Sequence, residues 1–354
     1  MYELEQRAAR AAILVESRGQ LVVDDITLPE RLDYGQVLVR LFYSGICGSQ
    51  IGEIDARKGE DRYLPHLLGH EGVAEVVLCG PGVRHVAPGN RVVLHWRKGA
   101  GIEANPPVYS WRGKKLNAGW VTTFNDYAVV SENRMTPVPD DTPLQILPLF
   151  GCALTTGFGA VINDARLRPG DSIVILGAGG VGLNMVQAAH LGGAFPIVAV
   201  DLYDNRLDLA KRLGATHTVN GAAEDTRDAV MRILRKEGLP GADICIDNTG
   251  QSACISLAYE LAHDKGRVVC VGVPARGDAA RIYTLPLHFG KSITGSHGGN
   301  AVPQEDIPRY LRLVKARDVR LERLITEIYP LEEINTAIAR MRSGEMEGRC
   351  LIRF

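Results

Sequence analysis

The chain has 354 residues, 45% hydrophobic and 23% charged, a length that suits two domains of roughly 100–200 residues and a balance that excludes a disordered polypeptide. Its 40 basic and 41 acidic residues leave a formal net charge of -1, so no overall field exists to hold nucleic acid or an anionic membrane, and a small-molecule substrate is expected. The opening MYELEQRAARAA lacks the apolar core of a secretory leader, no stretch nears the roughly 20 apolar residues of a membrane span, and the seven cysteines are an odd, scattered set suited to reduced thiols; a cytoplasmic location is expected.

In chain order, the first part reads as short strands: AAILVES, QLVVDDI, QVLVRLFYSGIC, GVAEVVLCG and NRVVLHW, punctuated by Gly80-Pro81 and Pro88-Gly89. This predicts an all-β, barrel-like half. From about Pro148, strands alternate with helical stretches: DSIVILGAG, PIVAVDL, ADICIDNTG and GRVVCVGVP are separated by amphipathic or alanine-rich runs. That alternation predicts a parallel sheet with helices on both faces. After Gly295 come a helix around Ile307 to Ala316, the strand ITEIYPL, a helix near Glu332 to Met341 and a last strand, RCLIRF.

The strand DSIVILGAGGVG runs straight into the helix-like GLNMVQAAHL, which places Gly177, Gly179 and Gly182 in a Gly-x-Gly-x-x-Gly turn between strand and helix. Such glycines let backbone approach a pyrophosphate, and the helix that begins there aims free N–H groups at it. The next strand ends in Asp201, at about the interval of 20 residues where a carboxylate accepts hydrogen bonds from an adenosine ribose. A 2′-phosphate would be repelled there, so NAD is expected rather than NADP. The competing reading is a tight turn followed by a helix-capping aspartate.

Three further segments hold candidate metal ligands, none diagnostic by itself, the competing reading being three unrelated buried residues. GICGSQ sets Cys47 and Ser49 in a turn after a strand, LLGHEG sets His70 and Glu71 in a second turn, and LFGCALTTGFGA supplies Cys152 where the β half gives way to the α/β half. In this order, followed by GAGGVG and an acid after the next strand, they resemble the zinc-containing medium-chain dehydrogenase/reductase family of the alcohol dehydrogenase type, over about Ala12 to Phe354. The resemblance implies a β-rich, GroES-like catalytic domain over 1–153 and 296–354 and a Rossmann-type, doubly wound NAD-binding domain over 154–295. It implies one catalytic zinc on Cys47, His70 and Cys152, whose open fourth position suits a substrate oxygen and hydride exchange with the nicotinamide. Ser49 matches the family's proton acceptor, and Glu71 resembles the acid behind the metal. Thr156 and Val181 would pack against the nicotinamide, Arg349 would reach the pyrophosphate, and Gly180, Arg206 and Val273 complete the implied cofactor contacts. Trp96 and Trp120 fall where relatives wall the substrate pocket, beside Ala118 and Gly119. Relatives assemble as dimers or tetramers, which sets the expectation of a homodimer or homotetramer.

The chain also departs from the family. No cysteine lies between Cys79 and Cys152, which removes the four-cysteine structural zinc of many relatives and leaves one zinc per chain. The segment in its place carries Arg97, Lys98, Arg112, Lys114 and Lys115 against the single acid Glu103, readable either as a solvated lobe or as a seat for an anionic group. Gln50 replaces an acid and Gly52 a histidine. Gln50 is expected to accept a hydrogen bond from the ligand imidazole while making it less basic, and proton exit needs another route. Two tryptophans near small residues favour a secondary alcohol on a sugar, cyclitol or polyol, the alternative being a simple alcohol or thiol-adduct formaldehyde dehydrogenase. A metal-free binding protein and a zinc-independent enone reductase are opposed by the three ligands and by Asp201.

Overall fold

The computed structural model describes residue 4, residues 8–317 and residues 319–354; parts of the opening segment read above for a leader lie outside the described residues. Among these, the elements begin β1 (Ala8–Leu14), β2 (Val22–Thr27), β3 (Gln36–Gly45), α1 (Gly48–Ile54), β4 (His66–Leu67), β5 (Glu71–Cys79) and β6 (Arg91–His95). There follow β7 (Tyr109–Trp111), β8 (Lys114–Leu116), β9 (Tyr127–Ser131), β10 (Met135–Pro137), α2 (Leu147–Gly151) and α3 (Ala153–Gly159). The α/β part comprises β11 (Ile173–Leu176), α4 (Gly180–Leu191), β12 (Ile197–Asp201), α5 (Asp204–Arg212), β13 (His217–Asn220), α6 (Thr226–Lys236), β14 (Ala242–Asp247), α7 (Ser252–Leu261), β15 (Ala262–Cys270) and β16 (Ser292–Gly295). The chain closes with α8 (Pro303–Ala316), β17 (Ile325–Pro330), α9 (Ile334–Ser343) and β18 (Arg349–Arg353). No single helix among the described residues is long and apolar enough to cross a membrane.

The chain divides into two compact units. The first holds Met1–Cys152, Val302–Ser343 and Arg349–Phe354, and the second Ala153–Ala301 and Gly344–Gly348. The expected return boundary at 295/296 falls before the end of the second unit's main segment at Ala301. The extra residues stay with the second unit because the backbone at Gly299 presses on α3 so closely that a Cβ at Gly159 would strike it. The loop 344–348 stays because Asn205 Nδ2 and Arg206 Nε donate to its carbonyls.

In the first unit, one sheet runs β4-β1-β2-β7-β8, and a second runs β10-β6-β5-β3-β18-β17 with β9 also on β3. Antiparallel pairing dominates, and alternate side chains point inward: Val37, Val39 and Leu41 of β3 meet Ala74, Val76, Val92 and Leu94 in one apolar cluster. Two consequences place the metal ligands. β3 delivers Cys47 just past its end, and β5 opens directly after His70.

The second unit is a six-stranded sheet of order β13-β12-β11-β14-β15-β16, every recorded pairing parallel. Its central strand β11, Ile-Val-Ile-Leu, is buried throughout, as an uninterrupted apolar strand covered by helices on both faces should be. The chain order reverses at β11, with β12 on one side and β14 on the other. Ligands of doubly wound sheets bind beyond the carboxyl ends of strands at such a reversal.

Candidate metal centre and dinucleotide site

Cys47 stands at the cap position before α1 in extended backbone, and the amides of Gln50 and Ile51 fold back onto its carbonyl. The thiol is thereby held at the mouth of a turn. His70 is set by Gly69, whose φ of +91° no L side chain readily adopts and whose missing Cβ leaves room for Thr123. Cys152 follows α2, and Gly151 lets that helix end press onto β5 and β6, because a Cβ there would meet the Leu94 carbonyl and the Glu71 backbone. Three distant segments thus deliver Cys47, His70 and Cys152 with one ligand atom each inside 4.8 Å of one another.

The two sulfurs lie 4.0 Å apart. Cys47 is drawn well below the usual thiol range, first by Cys152 beside it and also by the His70 ring, against the opposing effect of burial. His70 Nε2 is buried with no hydrogen-bond partner. Two sulfurs, one able to ionise in place, and an orphaned imidazole nitrogen converging on one point fit a tetrahedral zinc with a fourth position open.

Around this cup, Ser49 is exposed and its Oγ donates to Cys47 Sγ at 3.3 Å. Glu71 is fully buried and faces the guanidinium of Arg349, which opens β18. Gly45 accommodates that carboxylate, since a Cβ there would run into it. Arg349 thus stands beside Glu71 in the first unit. Gln50 differs from expectation in its sense of bonding. Its Oε1 accepts from the Gly69 N–H, so the Nε2 end faces His70 Nδ1 at 2.9 Å and donates to Glu53 Oε2 at 3.3 Å. Sequence reading missed Glu53, three residues on along α1, because its link to the centre passes through an amide. Nearby, Asp61 holds the buried His66 ring at 2.7 Å.

The basic segment is split by its own partners. Arg112 pairs with Asp24 at 2.8 Å and lies over Trp111, and Asp24 is lowered to about 2 by the Trp111 and Arg112 hydrogen bonds. Lys98 and Arg134 share Glu103, at 3.6 and 3.2 Å. Trp120 is 45% exposed with Arg134 over its ring, while Trp96 is half-buried with Arg97 over it. Burial lowers Arg134, Glu103 opposes the shift and Arg97 adds to it, so two guanidinium groups share this patch.

In the second unit, β11 ends at Leu176, Gly177 takes a φ of +94° and α4 starts at Gly180. A Cβ at Gly182 would collide with the Gly177 carbonyl oxygen, whereas one at Gly179 meets nothing within 4 Å. The third glycine thus serves the packing of strand on helix, and the second opens onto free space where a phosphate can approach. Asp201 at the end of β12 is nearly buried. Its Oδ2 accepts from Ala178 N–H at 2.7 Å and its Oδ1 from Leu202 N–H at 2.8 Å, with Arg206 3.8 Å away and stacked on Tyr203. Thr156 on α3 is buried and its hydroxyl has no hydrogen-bond partner. Val181 lies on the first turn of α4, and Val273 is exposed beyond β15.

A profile of the zinc-binding dehydrogenase family matches residues 180–316, and that of the alcohol dehydrogenase GroES-like domain matches 33–140. The chain is similar to alcohol dehydrogenase class-3 of Cereibacter sphaeroides, at 30% identity with 95% of this chain and 97% of that protein covered. It is similar to a solved alcohol dehydrogenase zinc-binding domain protein of Burkholderia ambifaria, at 31% identity and a TM-score of 0.89 over 98% of this chain and 99% of that one. It is also similar to benzyl alcohol dehydrogenase of Acinetobacter calcoaceticus, at 27% identity and a TM-score of 0.88 over 99% and 100%.

Proposed function

Because the chain belongs to the zinc-containing medium-chain dehydrogenase/reductase family, we propose that it is an NAD-dependent zinc dehydrogenase interconverting a secondary alcohol and a ketone. The carrying observation is the convergence of Cys47, His70 and Cys152 within 4.8 Å. Zinc in that cup supplies a Lewis acid for the alcohol oxygen, and NAD supplies the hydride acceptor. One zinc per chain is proposed, consistent with the lack of cysteines between Cys79 and Cys152.

The remaining work falls to this chain's own side chains. Ser49 Oγ accepts the alcohol proton, for which its hydrogen bond to Cys47 must break and its hydroxyl proton pass on. Its exposure gives that proton a path to water, which stands in for the histidine that Gly52 replaces. Glu71, balanced by Arg349, sets the field behind the ligands without needing to bind the ion. Asp201 receives the adenosine ribose and disfavours a 2′-phosphate. Gly177, Gly179, Gly180 and Gly182 shape the pyrophosphate seat, and Thr156, Val181, Arg206, Val273 and Arg349 are proposed as further cofactor contacts.

For substrate we propose a sugar, cyclitol or polyol, supported by the two indoles of this segment, the exposed Trp120 and the half-buried Trp96, since an indole face suits the C–H face of a ring. The basic 97–115 segment suits an anionic substituent. A simple or aromatic alcohol is the second reading, favoured by what the relatives are named for. A panel of polyols, cyclitols, sugar phosphates and benzylic alcohols, followed by NADH absorbance, separates them: turnover confined to benzylic or short primary alcohols overturns the polyol reading. A homodimer or homotetramer formed through the second unit is proposed on the open edge at β16 and the exposed Tyr283, Leu285 and Phe289 before it. Seven cysteines outside any disulfide suit the cytoplasm, which we propose as the compartment.

A further inference from the structure

Gln50 is almost completely buried, at 6% exposure, and three polar groups converge on its amide: the Gly69 N–H on Oε1, and Glu53 Oε2 and His70 Nδ1 on Nε2. An amide offers one accepting oxygen and one donating NH2 group. The first two contacts agree on an orientation, because a backbone N–H needs the oxygen and a carboxylate needs the NH2. The third depends on His70. A neutral imidazole that gives the lone pair of Nε2 to a metal carries its proton on Nδ1. That places an N–H against the NH2 of Gln50, two donors with no acceptor between them. Turning the amide over serves His70 but sets the NH2 against Gly69 N–H and the oxygen against the Glu53 carboxylate. Neither orientation satisfies all three.

We infer that Gln50 is a positioning residue that weakens zinc retention: with zinc on His70 Nε2, the Gln50 amide cannot serve Gly69, Glu53 and His70 at once, and one buried hydrogen bond stays unmade. This inference rests on the proposed ligand set. A carboxylate at the same place has two accepting oxygens, one for Gly69 N–H and one for His70 Nδ1–H, and its charge raises the ligand's basicity. The exchange Gln50→Glu keeps length and shape. The exposed Glu53 would then face a like charge, which the double variant Gln50→Glu/Glu53→Gln relieves.

The test measures zinc release from the purified, zinc-loaded protein to an excess of a coloured chelator. The Gln50→Glu and Gln50→Glu/Glu53→Gln proteins should each release zinc about 10–100-fold more slowly than wild type, the range over which partners of metal-ligating side chains act. A gain is the discriminating outcome, since a residue that merely filled space would lose retention or leave it unchanged on substitution. NAD binding and thermal unfolding report that the variants are folded. If folded variants release zinc as fast as wild type or faster, the inference is wrong. If wild type loaded with excess zinc retains it no better than Cys152→Ser, the ligand set itself is wrong.

Discussion

At Asp201 one carboxylate faces two tasks, since the oxygens offered to a ribose already accept from Ala178 and Leu202. Asp201→Ser should therefore weaken NAD binding by about 1.5–3 kcal/mol, the worth of a hydrogen bond to a charged group, while NADP binding changes little or improves. Titrating both cofactors into the variant checks this; an unchanged NAD affinity would put the carboxylate away from the ribose. His95 gives a residue-scale prediction of another kind. It is buried on β6 between the Arg97 carbonyl, at 2.7 Å, and Thr136 Oγ1, at 2.9 Å, and burial, with Arg134 adding to it, lowers it to about 4. The unfolded chain binds a proton there near the ordinary value of about 6.5. Between those values the unfolded state holds more protons, so stability must fall as pH drops from about 6.5 to about 4. Urea unfolding at pH 7 and pH 5 should show wild type losing about 2 kcal/mol more than His95→Gln over that interval, and equal losses would mean that His95 is protonated in the folded chain.

The glycine turn before α4 shows how one element divides its work. Gly182→Ala should lower both stability and NAD binding, because the added methyl drives α4 away from the Gly177 carbonyl. Gly179→Ala should leave the melting temperature close to wild type, as extended backbone and open space accept a Cβ there, yet weaken NAD at least about tenfold by filling the phosphate's place. Equal melting losses in both would contradict this division. Elements of this kind were legible because they carry period and punctuation. The apolar runs of β3, β5, β6 and β11 and the return to β17, α9 and β18 all stand out in the sequence. The short β7 and β8, Tyr-Ser-Trp and Lys-Lys-Leu, do not, since three residues carry no periodicity and β7 joins the sheet through β2 far upstream. The ligand types at the centre were legible as motifs, but the sense of the Gln50 amide and the meeting of Arg349 with Glu71 were not. Both depend on which atoms face each other across folded segments, and spacing along the chain carries no such information.

For the whole molecule, the division into two units separates two binding functions. Cys47, His70 and Cys152 lie in the first unit and the glycine turn in the second, so Cys152→Ser should lose zinc and turnover while keeping NAD affinity within about twofold of wild type. Zinc analysis alongside NAD titration decides it, and joint loss would signal misfolding. The position of β18 carries a further consequence. It lies inside the metal-bearing sheet, antiparallel to β3 and parallel to β17, while the six strands of the second unit all lie between Ile173 and Gly295. During synthesis on the ribosome, β3 emerges early and meets β5 and, over residues 36–40, β9, but its end at Tyr43, Ser44 and Gly45 must wait for β18 until nearly all of the chain has been made. The parallel sheet meets no such delay. A nascent chain arrested just before Arg349 should carry a protease-resistant second unit beside a first unit still open to cleavage, and Glu71 would still be without its guanidinium. The half of the molecule that is translated first is thus the half that finishes last.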